Sequence, residues 1–170
     1  MTTKDFCIKW LAYALALALV WLLEAYLFSA LPLFGVKPML LPLCAVAVAT
    51  LEGASGGAGF ALAVGVLFDA THPGVPGVNI LLMALLGLGL GLLTQYVLRQ
   101  DLTGCLICSA LALAAIDALR ILWRLLFGSA PLGGMLALAG KELGWSMCFS
   151  PLVYLIFRWV FNRVPKATVL

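Results

Sequence analysis

The chain has 170 residues, 65% of them hydrophobic and 10% charged, with a formal net charge of +3 and a mean hydropathy of +1.16. A water-soluble domain carries about a quarter charged residues, so ten basic and seven acidic side chains are too few to cover a globule in water. Intrinsic disorder needs low hydrophobicity and high net charge, and a nucleic-acid binder needs clustered basic residues. Both are excluded, and the composition is that of a multi-span membrane protein.

A bilayer core of roughly 30 Å takes about 20 apolar helical residues. The first span runs from Phe6 to Ala30. It continues past Trp21, Glu24 and Tyr26, unlike a cleavable signal peptide with its shorter apolar core. Between Lys37 and Thr71 the chain is broken by Pro38, Pro42 and Glu52-Gly53-Ala54-Ser55-Gly56-Gly57. Two short helices, Pro38–Leu51 and Ser55–Ala70, joined by a tight turn keep Glu52 out of the middle of the membrane. The alternative is one long kinked helix. His72-Pro73-Gly74-Val75-Pro76-Gly77 is a loop by its prolines and glycines. Spans at Val78–Leu98 and Leu102–Phe127 follow, separated by the polar turn Arg99-Gln100-Asp101. Gly128–Gly140 reads as a loop or interfacial segment, Glu142–Phe161 as the last span, and Asn162–Leu170 as a basic tail. The expectation is an all-α polytopic transmembrane helical bundle, one domain over residues 1–170, with six spans (five in the alternative). The Lys/Arg bias favours the side carrying Lys4, Lys9, Arg99, Arg158, Arg163 and Lys166 over that carrying Lys37, Arg124 and Lys141. Both termini are therefore expected in the cytoplasm.

The five cysteines, including the Cys105-Leu-Ile-Cys108 pair, lie in or beside apolar runs and read as small apolar side chains. The tryptophans fall mostly near span ends, as interfacial belts do. Glycine is concentrated at Gly53, Gly56, Gly57, Gly59 and Gly65, and again at Gly87, Gly89 and Gly91. Gly87 and Gly91 form a G-x-x-x-G, the spacing that lets membrane helices approach closely. It serves packing within the chain or the docking of a partner helix.

Ionisable residues within a membrane are costly unless paired. Glu24, Asp69, Asp117, Arg120 and Arg124 all fall in the outer half under the orientation above. Asp117, Arg120 and Arg124 share a helix face by their spacing. Asp69 sits at a helix C-terminus, where the dipole disfavours an anion; Arg124, Lys37 or His72 could hold it, and an arginine of the Leu102–Phe127 span is the expected partner. The cluster is an internal ion-pair lock, a partner-binding patch or a small-molecule site. Asn79 is expected to cap the span it opens, and Lys141-Glu142 to mark an interfacial helix start. One histidine provides no metal cluster, and neither G-x-S-x-G nor a P-loop is present. The reading is therefore non-enzymatic, without metal or cofactor.

Gly35-Val36-Lys37-Pro38-Met39-Leu40-Leu41-Pro42, the Gly-rich turn, Gly59-Phe60, Gly65-Val66-Leu67-Phe68-Asp69 and Gly77-Val78-Asn79 together resemble the MreD family, the rod shape-determining membrane proteins of bacteria. The likeness covers roughly Phe34 to Leu98. Pro76-Gly77-Val78-Asn79 stands where that family often has Leu-Gly-x-Asn. The resemblance implies a scaffold subunit of the cell-elongation machinery in the bacterial inner membrane, beside an MreC-like protein, MreB, RodA and a class B penicillin-binding transpeptidase. It marks Asp69 and Asn79, with Gly56, Gly57 and Gly59, as structural and partner-facing positions. A second resemblance is to the substrate-binding subunit of energy-coupling-factor vitamin transporters, also small six-span proteins, whose fold MreD is thought to share. Its first helix docks the coupling module through an Ala-x-x-x-Ala pattern, matched here by Ala12–Ala16 and Ala14–Ala18.

Overall fold

The computed structural model describes residues 3–27, 37–71, 77–97, 101–127 and 132–163. The His72–Pro76 stretch of the first loop, the Arg99-Gln100 turn, residues 128–131 and the tail from 164 onward lie outside the described residues. So does Phe34 to Val36, the start of the MreD-like stretch.

All the described elements are helical. They are α1 (Thr3–Leu22), prolonged by a π-helical turn over Leu23–Leu27, then α2 (Leu40–Thr71), α3 (Val78–Tyr96), α4 (Leu102–Phe127) and α5 (Leu132–Arg163). Among the described residues, five helices are long and apolar enough to cross a membrane.

α2 is not a straight rod. At Gly53 the backbone leaves the helical region for φ 80°, ψ −166°, a positive φ that glycine alone adopts without strain. The chain doubles back there. A Cβ on Gly57 would lie 2.6 Å from the Cα of Ala49, whereas residues eight apart in a continuous helix stand about 12 Å apart. The arms 40–52 and 54–71 therefore run antiparallel. Their far ends agree, since Met39 and Phe68 both meet Arg120: the guanidinium is 3.7 Å from Met39 Sδ and 5.4 Å from the Phe68 ring centre. Glu52 is thereby delivered to the turn.

The first arm is the axis of the bundle. Residues 38–51 are buried without exception, so the arm has no outward face and no amphipathic stripe, as a helix enclosed on all sides should. The second arm packs on α3 through small residues. A Cβ on Gly87 would lie 2.8 Å from the Gly57 carbonyl oxygen, one on Gly91 2.6 Å from the Ala54 Cα, and one on Gly65 2.8 Å from the Ile80 Cα. Gly57 and Gly87 thus face each other, Gly65 faces Ile80 and Gly91 faces Ala54, so these four glycines are occupied by packing within the chain. Gly56 lies over Glu52, while a Cβ on Gly59 would meet nothing within 4 Å.

α5 begins at Leu132, well before Glu142, and carries Pro151 in its interior. The stretch that reads from sequence as a loop or interfacial segment is helical from Leu132 onward, because Met135-Leu136-Ala137-Leu138-Ala139 are strong helix formers that outweigh Gly133, Gly134 and Gly140.

The two kinds of glycine separate experimentally. Gly57→Leu should lower the unfolding midpoint in detergent markedly, overpacking against backbone costing about 1–3 kcal/mol or more. Gly59→Leu should stay within about 0.5 kcal/mol of the parent protein.

Candidate functional site

The first arm of α2 starts inside the bundle, and its first amides must find acceptors there. In a membrane interior each unsatisfied backbone group costs several kcal/mol. The Met39 amide donates to Ser146 Oγ of α5 at 2.9 Å. The Leu40 and Leu41 amides both donate to Glu24 Oε2, at 3.1 and 2.9 Å. The next residue, Pro42, has no amide hydrogen. Glu24 lies in the π-helical turn that extends α1. Such turns are rare overall and frequent at functional sites. A carboxylate at a helix N-terminus is also favoured by the helix dipole.

The residues carrying the MreD resemblance converge a few residues away in the fold. Asp69 Oδ2 accepts the Gly77 amide at 3.0 Å, and Asp69 Oδ1 accepts the Asn79 side-chain amide at 2.9 Å. Gly77 is the N-cap of α3, with φ 84° and no side-chain cap bond. Two expectations are corrected here. The donors that the structure gives Asp69 are the loop amide and Asn79, in place of an arginine. Asn79 does not cap the helix; it lies within the first turn and turns its amide back on Asp69. The constraint on Asp69 is met by neutral donors eight and ten residues along the chain, so no distant cation is required.

Arg120 pairs instead with Glu142, Nη1 to Oε1 at 3.6 Å. The same guanidinium reaches Met39 and Phe68 as described above. Asp117 lies one turn earlier on the same side of α4 and is 7% exposed. Its Oδ2 meets no hydrogen-bond donor among the described residues. Arg124 is exposed. Of the residues expected to cluster, Glu24, Asp69, Asp117 and Arg120 therefore lie toward one end of the bundle, but in three separate arrangements.

Two partners were not visible in the sequence reading. Glu142, taken as an interfacial marker, is the acid that engages Arg120. Its signal is the spacing Glu142, Ser146, Ser150, which places three polar groups on one side of the apolar middle of the helix. Ser146 and Ser150 are both buried, and Ser150 Oγ donates to Ser109 Oγ of α4 at 3.0 Å. At the opposite end, Glu52 accepts from Lys9 Nζ at 2.6 Å and from the Tyr13 hydroxyl at 2.7 Å. Lys9 also lies 5.6 Å from the Phe161 ring centre. Glu52 served the sequence reading only as evidence for a turn.

The chain matches no protein-family model, no curated protein and no solved structure. Among the described residues the protein is all-helical, with five membrane-length helices, one of which, α2, is folded at Gly53 so that its first arm is buried among the others.

Glu24→Ala strands two buried amides, each costing about 1–3 kcal/mol, and should lower thermal stability in detergent far more than Glu24→Gln, which keeps an acceptor oxygen. The pair Asp69→Ala and Asn79→Ala should be non-additive in the same assay, with a coupling of about 0.5–3 kcal/mol. Simple additivity would show that the bond contributes nothing.

Proposed function

We propose that this chain is a non-enzymatic scaffold subunit of the bacterial cell-elongation complex, similar to MreD. In this reading it supports cell shape and lateral peptidoglycan synthesis through an MreC-like protein and, beyond it, MreB, RodA and a class B penicillin-binding transpeptidase. It lies in the inner membrane with six crossings and both termini in the cytoplasm.

One observation carries the reading. Gly65, Asp69, Gly77 and Asn79, four of the positions that carry the resemblance, form a single local unit. Gly65 lets the second arm of α2 approach Ile80 of α3, and Asp69 closes the loop between them through Gly77 and Asn79. Residues that recur together as a motif are expected to meet in space, and these do. Six crossings are supported by the reversal at Gly53, since in this reading each antiparallel arm of α2 counts as a traverse of its own. The enclosed first arm, about 20 Å long at 1.5 Å per residue, has no lipid-facing surface to match to the bilayer. The orientation rests on the Lys/Arg bias.

The second reading, a vitamin-transporter subunit, is favoured by one feature. Ala14 and Ala18 are both exposed on α1, whereas Ala12 and Ala16 are partly buried against the core. One of the two Ala-x-x-x-Ala pairs is thus available to a docking partner.

Deleting the gene in its host should turn rods or ovoids into rounded, swollen cells. The parent gene should restore shape, and Asp69→Ala should restore it poorly despite normal membrane insertion. Tagged protein should co-purify with an MreC-like protein. Unchanged cell shape in the deletion strain would sink the scaffold reading. Stoichiometric, nanomolar binding of a vitamin by the purified protein would establish the transporter reading instead.

A further inference from the structure

The outer parts of α4 and α5 stand apart from the rest of the bundle. Arg120 lies level with Met39 and Phe68, close to where both arms of α2 end on that side. Beyond that level, residues 122–127 of α4 are all exposed, and so are most of residues 133–141 of α5. Cβ atoms on Gly133, Gly134, Gly140 and Gly144 would meet nothing within 4 Å. Deeper in the membrane the two helices are joined by the Ser150–Ser109 bond. Among the described residues, the Arg120–Glu142 pair is the outermost polar tie between them.

That tie is loose on both sides. A guanidinium has five donors in a fixed fork. Arg120 offers one of them to Glu142 at 3.6 Å, longer than the 2.7–2.9 Å of a good charge-assisted hydrogen bond. Its other contacts are a thioether sulfur and the face of a phenyl ring, which hold a cation softly. The side chain remains one-third exposed and so keeps room to move. One turn back on the same face, Asp117 presents a buried oxygen with no donor. Residues three apart on a helix are within reach of each other. The pair Asp117–Arg120 lies within α4, whereas Glu142–Arg120 bridges two helices.

We propose that Arg120 is shared between Glu142 and Asp117, and that its exchange from the first to the second unties the outer parts of α4 and α5, which stay joined in the chain through residues 128–131. In the bridged state Glu142 is neutralised and the Asp117 oxygen lacks a donor. In the exchanged state Asp117 gains the guanidinium and Glu142, on the half-buried side of α5, is left to the outer polar boundary. Each state satisfies one of the two carboxylates, buried Asp117 or half-buried Glu142, at the expense of the other. No covalent bond changes, and the two arrangements differ by one arginine rotamer and the separation of two helix ends. The open glycines at 140 and 144 set no neighbour against that motion. This inference goes beyond the scaffold reading and does not depend on it: the switch is a property of the bundle, whatever its ends contact.

The test is pulsed electron-spin distance measurement across Leu126→Cys and Leu136→Cys, two exposed positions on the projecting ends. It uses the full chain in lipid nanodiscs with the exposed Cys7 and Cys148 changed to serine. The parent background should give two distances. Asp117→Asn should leave the shorter one dominant, and Glu142→Gln the longer one. Glu142→Asp, which keeps the charge but shortens its reach, should shift the balance toward the longer distance and covers the case in which the glutamine variant fails to fold. A single distance in the parent background would make the pair a fixed lock and overturn the proposal. So would two distances whose ratio does not respond to Asp117→Asn.

Discussion

The acceptor that Glu24 supplies to Leu40 and Leu41 is the constraint from which most of the architecture follows. A helix that begins inside an apolar bundle exposes its first amides to a medium with no water to satisfy them. Three devices remove the problem here: a carboxylate for two amides, the Ser146 hydroxyl for a third, and a proline where a fourth donor would have been. With its start satisfied, the arm 40–52 can be buried on every side. A wholly buried arm then needs an exit that does not drag polar backbone through lipid, and the sharp reversal at Gly53 provides one. The π-helical turn in α1 and the positive φ at Gly53 are thus two ends of one solution.

The same helix is also pinned where it ends. Glu52 receives Lys9 and the Tyr13 hydroxyl, so α1 grips the arm at both ends, through Tyr13 and Lys9 at one and Glu24 at the other. Lys9, Glu24 and Glu52 are among the few charges of the bundle, and each touches a helix other than its own. In a low-dielectric interior, removing one partner of such a pair costs more than the pair itself contributes. The Lys9–Glu52 and Glu24 contacts therefore act as registry marks: they fix how far α1 slides along α2, which apolar packing alone specifies weakly.

Much of this was legible in the sequence, and the limits have physical causes. The apolar runs, the break near Glu52 and the crowding of Gly57, Gly65, Gly87 and Gly91 were readable because helix length and small-residue spacing are local properties. The choice of partners was not. Asp69 sits against a helix dipole, which correctly implied a need for donors. But a carboxylate is served equally well by an amide and an Asn as by an arginine, and periodicity does not tell these apart. Glu142 was misplaced because the glycines at 133, 134 and 140 hid the true start of α5, making an interior residue look terminal. Asn79 read as a cap because helix starts favour asparagine; with Gly77 in the capping position, the asparagine is free to serve the preceding loop.

The bundle is divided by how its glycines are used. On the side of α2 and α3, Gly57, Gly65, Gly87 and Gly91 bring backbones into contact, so repacking at these four positions meets a backbone clash, while Gly59 and Gly89 are open. On the side of α5 the glycines at 133, 134, 140 and 144 are open, and beyond the buried contacts of Ile116 and Val153 with the common core the helix they belong to is tied to α4 by one long ion pair. Stiffness in a membrane bundle comes from interdigitated backbones and fully paired polar groups. The first half has both, while the outer part of the second has neither. A protein built this way holds its Asp69 unit and its buried arm fixed and confines rearrangement to the outer ends of α4 and α5. Contacts made there can change while the frame that positions them does not.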